Sequence, residues 1–219
     1  TANILNGRPP LMIWGLPDYP VSNVVFQKVT LNSSSTRTSG IYNATNIQFI
    51  DCSLPVPVGN QTAQFWNAAV TFTNSSLATN LLFLDGLTTN GIGSTFDFYN
   101  APATVSDTNA IAGGALTISG STLTVSNHFN QTAASPLNFA VGTNLAILAV
   151  KGSLKLGGPV NVTAGIGFTN GTYTLLTYSG SLSGSLPPLG ATPPGYSCSL
   201  SSAGANQIQL IVSPPLPGI

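Results

Sequence analysis

Apolar and polar residues alternate through much of this chain, and in three places the alternation comes back in phase. The segments Val24–Leu31, Ile47–Leu54 and Val70–Leu77 carry Phe at 26, 49 and 72 and Leu at 31, 54 and 77, so both positions recur every 23 residues. Alternation at period two is the pattern of a half-buried strand, and each copy follows an Asn/Ser/Gly/Pro-rich stretch that reads as a turn. An identical side chain returning at fixed spacing in strand-type sequence predicts strands stacked in register, one per coil. The expected fold is all-β, a right-handed parallel β-helix with ~23-residue coils. In it Phe26, Phe49 and Phe72 form one inward column and Leu31, Leu54 and Leu77 a second. The same offset aligns Lys28, Asp51 and Asn74, which reads as an exposed ladder position.

The organisation changes near residue 85. Residues 1–85 hold the regular coils, whereas 86–219 carry short Gly-punctuated strands such as Gly114–Gly120, Ser121–Val125 and Leu145–Val150. Some apolar positions there still fall 23 apart, at Leu116, Phe139 and Val162. The region is expected to be either a degenerate continuation of the solenoid or a β-sandwich-like cap. Ile208–Val212 reads as the final strand, and residues 213–219 as a Pro-rich tail that cannot pair regularly because proline lacks the donor.

Composition reinforces the all-β reading and narrows the function classes. Only five Lys/Arg and five Asp/Glu occur in 219 residues, and Glu is absent. Good helix formers are therefore scarce, and 23 Gly with 16 Pro interrupt the windows that could hold a helix. The cations Arg8, Lys28, Arg37, Lys151 and Lys155 are scattered, which argues against nucleic acid and against anionic membrane surfaces as partners. No apolar run reaches the roughly 18 to 20 residues that span a bilayer, so membrane insertion is not expected. The chain begins at Thr1 without an initiator Met or a signal peptide, which reads as a processed or truncated product. Sequons stand at Asn32, Asn43, Asn60, Asn74, Asn130, Asn161 and Asn170 and are candidate glycosylation sites, against the plainer reading as polar turn residues. The neutral, hydroxyl-rich composition fits an extracellular or cell-surface location, and the lack of charge favours association.

Few residues carry recognisable chemistry. The five carboxylates, Asp18, Asp51, Asp85, Asp97 and Asp107, are spread singly and read as turn and strand-end residues. A single histidine, His128, cannot make a multi-histidine metal site, and no Gly-x-Ser-x-Gly elbow accompanies the many serines. No catalytic residue, metal ligand or cofactor is assigned. Cys52 and Cys198 are candidates for a disulfide, within one molecule or between two, although Cys52 also reads as a small core residue. Trp14 and Trp66 are candidates for stacking on sugar rings if they line one face, and otherwise pack at coil corners.

The run Gly15–Thr30, followed by Asn43–Cys52, resembles the late coils of pectin-degrading enzymes of glycoside hydrolase family 28, over roughly the first 80 residues. The stretches Gly171–Gly180 and Gly195–Leu200 resemble the C-terminal region of bacterial surface proteins with autotransporter-associated β-strand repeats. Both resemblances imply a secreted β-solenoid. The first does not bring an active site, because the family's Asn-x-Asp, Asp-Asp, Gly-His-Gly and Arg-x-Lys motifs do not occur here. Inverting hydrolysis requires a pair of carboxyl groups about 6.5 to 9.5 Å apart. The expected function is a non-catalytic extracellular structural protein: a β-solenoid subunit of a fibre, layer or adhesin stalk. It is expected to join end to end with copies of itself through its N-terminal coil and the strand Ile208–Val212. The alternatives are the C-terminal part of a polysaccharide-degrading hydrolase and a carbohydrate-binding module.

Overall fold

The computed structural model describes residues 2–4, 11–33, 39–54, 63–77, 82–85, 94–107 and 114–214. These residues contain strands and turns and no helix, hence no helix long and apolar enough to cross a membrane. The strands stack in parallel. One ladder runs through Val21–Gln27, Gly40–Ile50, Ala63–Thr73, Thr95–Tyr99, Leu116–Ser119, Leu137–Val141 and Val160–Ala164. A second begins at Met12–Trp14 and uses the first residues of Gly40–Ile50 and Ala63–Thr73. It continues through Leu82–Asp85, Ala103–Asp107, Ser121–Val125, Ala146–Val150 and Gly171–Tyr178. Shorter pairs close the corners, Ser53–Leu54 on Ser76–Leu77 and Phe129–Asn130 on Leu154–Lys155 on Leu182–Ser183. The chain is thus a parallel β-solenoid, and the pairing crosses residue 85 without a break, since Val70 lies opposite Phe96.

The phenylalanine column explains why the coils stack in this register. Rings of Phe26 and Phe49 lie 4.8 Å apart, those of Phe49 and Phe72 5.1 Å, and those of Phe72 and Phe98 5.4 Å, all stacked. The centroid spacing follows the strand spacing, so each coil adds one ring to a continuous apolar column. Phe49, Phe72 and Phe98 are fully buried, and Phe26 is half-buried. Ile118, Phe139 and Val162 continue the column. Leu116 pairs with Leu137, so the sequence alignment of Leu116 with Phe139 is out of register. The reason is loop length: the partners Val70–Phe96, Phe96–Leu116, Leu116–Leu137 and Leu137–Val160 are separated by 26, 20, 21 and 23 residues. The leucine positions behave differently. Leu54 and Leu77 are direct partners and both pack against the core, but like Leu31 they are half-buried, so this second column runs along a corner of the coils.

The turn after this ladder is built from one conformation repeated. Lys28, Asp51, Asn74, Asn100 and Gly120 occupy equivalent positions with φ of 53°, 53°, 48°, 49° and 60°. Left-handed backbone favours Asn, Asp and Gly, whose short polar or absent side chains tolerate it. The side chains form the exposed ladder that the sequence offset indicates. Asn74 Nδ2 donates to Asp51 Oδ1 (3.4 Å), and Asn100 Nδ2 donates to Asn74 Oδ1 (3.2 Å). The residues that follow, Cys52, Ser75, Ala101 and Ser121, turn inward and are buried.

Of the two readings of the second half, the solenoid continues, still in parallel, through Gly171–Tyr178 and Leu182–Ser183, and the chain then reverses. Gln207–Ser213 runs antiparallel to Gly171–Tyr178 on one side and to Ser197–Ser201 on the other, with Ile208, Leu210 and Val212 buried. The final strand therefore has both edges occupied and does not offer the free edge expected for end-to-end joining. At the end of the other ladder, Val160 and Val162 donate backbone hydrogen bonds to Pro188 and Ala191, and Gly190 donates to Val160. A loop and a hairpin thus cover the end of the stack. Pro214 follows the last strand, and residues 215–219 lie outside the described residues.

Candidate functional site

Along the second ladder the inward residues Ile13, Ile41 and Phe65 are buried, so their neighbours face outward. This alternation puts Trp14, Tyr42 and Trp66 in one row, as direct partners on three adjacent strands. Trp14 and Tyr42 have ring centroids 5.2 Å apart at 37°, and Tyr42 and Trp66 6.4 Å apart at 71°. Trp14 is 67 % exposed and Trp66 36 %. The two tryptophans therefore line one face and are not corner packing. Tyr42, which joins them, is the residue that sequence reasoning missed. The missing signal is coil length: Tyr42 follows Trp14 by 28 residues and precedes Trp66 by 24, so the row is invisible at a 23-residue offset.

Gly40 and Tyr42 share this outward face, and the tyrosine ring leans over the glycine so closely that a Cβ on Gly40 would collide with it. Partial burial between its neighbours pushes the Tyr42 hydroxyl above its ordinary pKa. The outward positions Met12, Trp14, Gly40, Tyr42 and Trp66 include no charged residue, and the register partner of Trp66 on the following strand is Asp85. One residue beyond Gly15, the turn Leu16–Tyr19, closed by reciprocal backbone hydrogen bonds of 3.1 Å, presents Leu16 and Tyr19 to solvent at 60 % and 79 % exposure.

The remaining candidates are dispersed. Asp51 stands in the exposed turn ladder, Asp18 in the Leu16–Tyr19 turn, and Asp97 within Thr95–Tyr99, where Oδ2 accepts from Thr71 Oγ1 (3.3 Å). The side chains of Asp85 and Asp107 lie outside the described residues. Among the described residues no three His, Cys or Asp side chains gather. His128 is exposed, and its Nδ1 accepts a hydrogen bond from the Ser153 backbone N–H (3.0 Å).

Cys52 and Cys198 are both free thiols, which corrects the intramolecular disulfide. Cys52 is buried in an early coil, with Sγ 3.3 Å from the carbonyls of Phe26 and Ile50, whereas Cys198 sits opposite Val212 in the terminal hairpin. Burial raises the Cys198 thiol pKa. Among the sequons, Asn43 is buried, donates to the Gly15 carbonyl (3.0 Å) and accepts from Asn67 (2.9 Å), so no glycan fits there. Asn161 is half-buried and bonded to Asn138 and to the Ala191 N–H. Asn74, Asn130 and Asn170 are exposed. Asn60 and the side chain of Asn32 lie outside the described residues.

Comparison of the chain with protein-family models, with curated proteins and with solved structures finds no match.

Proposed function

We propose that this chain is a non-catalytic structural segment of an extracellular surface assembly, a stiff β-solenoid shaft closed at one end. The observation that supports this reading is that successive coils are tied by axial columns as well as by the backbone ladder. Phe26–Phe49–Phe72–Phe98 stack inside, Asp51–Asn74–Asn100 link their amides and carboxylate outside, and Asn138 and Asn161 repeat the link further on (2.9 Å). A body in which each repeat grips only its neighbours, through several parallel columns, resists bending and local opening. Its composition is neutral and hydroxyl-rich, in keeping with an extracellular setting, and the C-terminal hairpin covers the edge of Gly171–Tyr178, leaving the short strand Ser197–Ser201 as the sheet's edge. The proposal is for a shaft rather than a filament growing through Gln207–Ser213.

Hydrogen exchange of the purified chain tests this. Amides from Gly40 to Ala164 within the ladders should exchange slowly and as one cooperative block. Catalytic turnover of polygalacturonate that disappears in Asp51→Asn or Asp97→Asn would replace this reading with the hydrolase alternative.

A further inference from the structure

We propose that the row Trp14–Tyr42–Trp66 is a binding platform for a neutral polysaccharide, whose chain lies along the solenoid axis and places sugar rings on successive coils. This goes beyond the shaft reading and does not depend on it. Three properties of the row lead there. Its rings are held by strand register on three adjacent parallel strands, so the platform exists before any ligand arrives and binding orders little. Its tryptophans remain 67 % and 36 % exposed although the solenoid has an apolar interior, with Met12, Leu16 and Tyr19 exposed beside them, and large solvated aromatics clustered in this way mark contact sites. On its three strands the described outward positions bear no charge, and the next register position beyond Trp66 is an acid, Asp85, which turns the ligand's chemistry away from anions.

A pyranose ring has a face of C–H bonds and a rim of hydroxyls. The face stacks on an indole or phenol ring, and the rim stays in water or bonds to flanking polar groups such as the Tyr42 hydroxyl. Centroid spacings of 5.2 and 6.4 Å are comparable to the advance of an extended glycan per hexose, so a chain crossing the strands meets a new ring at each coil. A polyuronate would need cations that these strands do not present. Single-stranded nucleic acid, which also stacks on aromatics, would need a basic groove. A second copy of this chain would need a broad complementary patch of roughly 800 Å² per partner, and the platform is one residue wide. Exposure increases from Trp66 to Trp14 and on to Tyr19, so the platform is most open toward the N-terminal coil.

The chain contains only two tryptophans, both in this row, so tryptophan emission, excited selectively over the six tyrosines, reports on the platform alone. The full chain is titrated with hydroxyethylcellulose, mixed-linkage β-glucan and polygalacturonate, by fluorescence and by native electrophoresis in gels containing each polymer. At least one neutral glucan should blue-shift the emission and retard the protein, with polygalacturonate without effect. Trp14→Ala and Trp66→Ala should each weaken binding by about tenfold, and Trp14→Phe should retain most of it. Circular dichroism of the exposed-site variants checks that they are folded. Absence of a shift and of retardation with every neutral glucan overturns the proposal. So do preferential retardation by polygalacturonate, and a blue shift that follows protein concentration without glycan, which assigns the row to self-association.

Discussion

Cys52 and Ser75 do the same work one coil apart. Cys52 Sγ lies 3.3 Å from the carbonyls of Phe26 and Ile50, and Ser75 Oγ lies 3.2 and 2.9 Å from those of Phe49 and Thr73. The two are also joined, because the Cys52 backbone N–H donates to Ser75 Oγ (3.1 Å). Ser121 repeats the arrangement against Phe98 and Ser119. The position therefore calls for a small inward donor, and sulfur is one way to supply it. Cys52→Ser should change unfolding free energy by less than about 1 kcal/mol, whereas Ser75→Ala, which removes the acceptor of the Cys52 N–H and the hydroxyl donor, while the Thr73 carbonyl keeps the Asp51 N–H, should cost about 1 to 3 kcal/mol. Denaturant melts of both variants decide. Thiol labelling gives a second check: the native chain should react at Cys198 and not at buried Cys52, with the rate for Cys198 rising only above the ordinary thiol range, since burial disfavours its thiolate.

The aromatic column should be the most sensitive part of the core. Phe72 is fully buried between Phe49 and Phe98, at 5.1 and 5.4 Å. Truncation to Ala should cost about 3 to 5 kcal/mol, because a stacked ring above and below prevents the cavity from closing. Phe26→Ala, at a half-buried site, should cost less when measured in the same equilibrium melts. Equal losses at the two sites would mean that the column is not what holds the coils in register.

Asn74 combines a left-handed backbone with a link in the amide ladder, and the two roles can be separated. Asn74→Gly keeps the turn and breaks the links to Asp51 and Asn100, whereas Asn74→Ala breaks the links and strains the turn as well. The alanine variant should be the less stable, by about 1 to 2 kcal/mol for a Cβ in left-handed backbone. A thermal melt with the order reversed would show that tolerance of left-handed backbone is not what this position requires.

Tyr42 gives the alkaline limit of stability a local origin. Its pKa is raised by burial in the folded chain, so the folded state holds its proton more tightly than the unfolded state. That contribution is complete below the unfolded tyrosine value of about 10 and is lost as pH rises through the higher folded value. Tyr42→Phe should flatten the fall of stability above about pH 10 while leaving neutral-pH stability nearly unchanged. Tyr99, raised by burial and then by the neighbouring Asp97 carboxylate, should still titrate in this variant.

What the sequence reveals here tracks what is strictly periodic. Phe26, Phe49 and Phe72 are legible because the loops between them keep a 23-residue coil, and so is the Asp51–Asn74 ladder. Phe98 belongs to the same column but is hidden by a coil of 26 residues, and Leu116 is misassigned by coils of 20 and 21. Tyr42 is missed for the same reason, because its row lies on strands whose connecting loops vary. Burial of Asn43 is likewise not written locally: its sequon looks like any surface turn until Gly15 and Asn67 come beside it.

The last prediction concerns the end of the stack, where the strand pairing gives the expected association a different test. From sequence, Ile208–Val212 is a free strand whose removal abolishes association. In the structure it is the middle strand of the cap, with Gly171–Tyr178 on one side and Ser197–Ser201 on the other. Shortening the chain after residue 192 would uncover the edge of Gly171–Tyr178 together with Leu175 and Leu176, which are buried. An uncapped edge beside apolar surface, with almost no charge to guard it, templates pairing with another chain. The shortened chain should therefore associate where the full chain does not, and, because backbone and apolar surface make the contact, added salt should not reverse it. Light scattering of both chains at matched concentrations, with and without salt, gives the answer. A shortened chain that stays monomeric would show that the hairpin is not the guard of this edge.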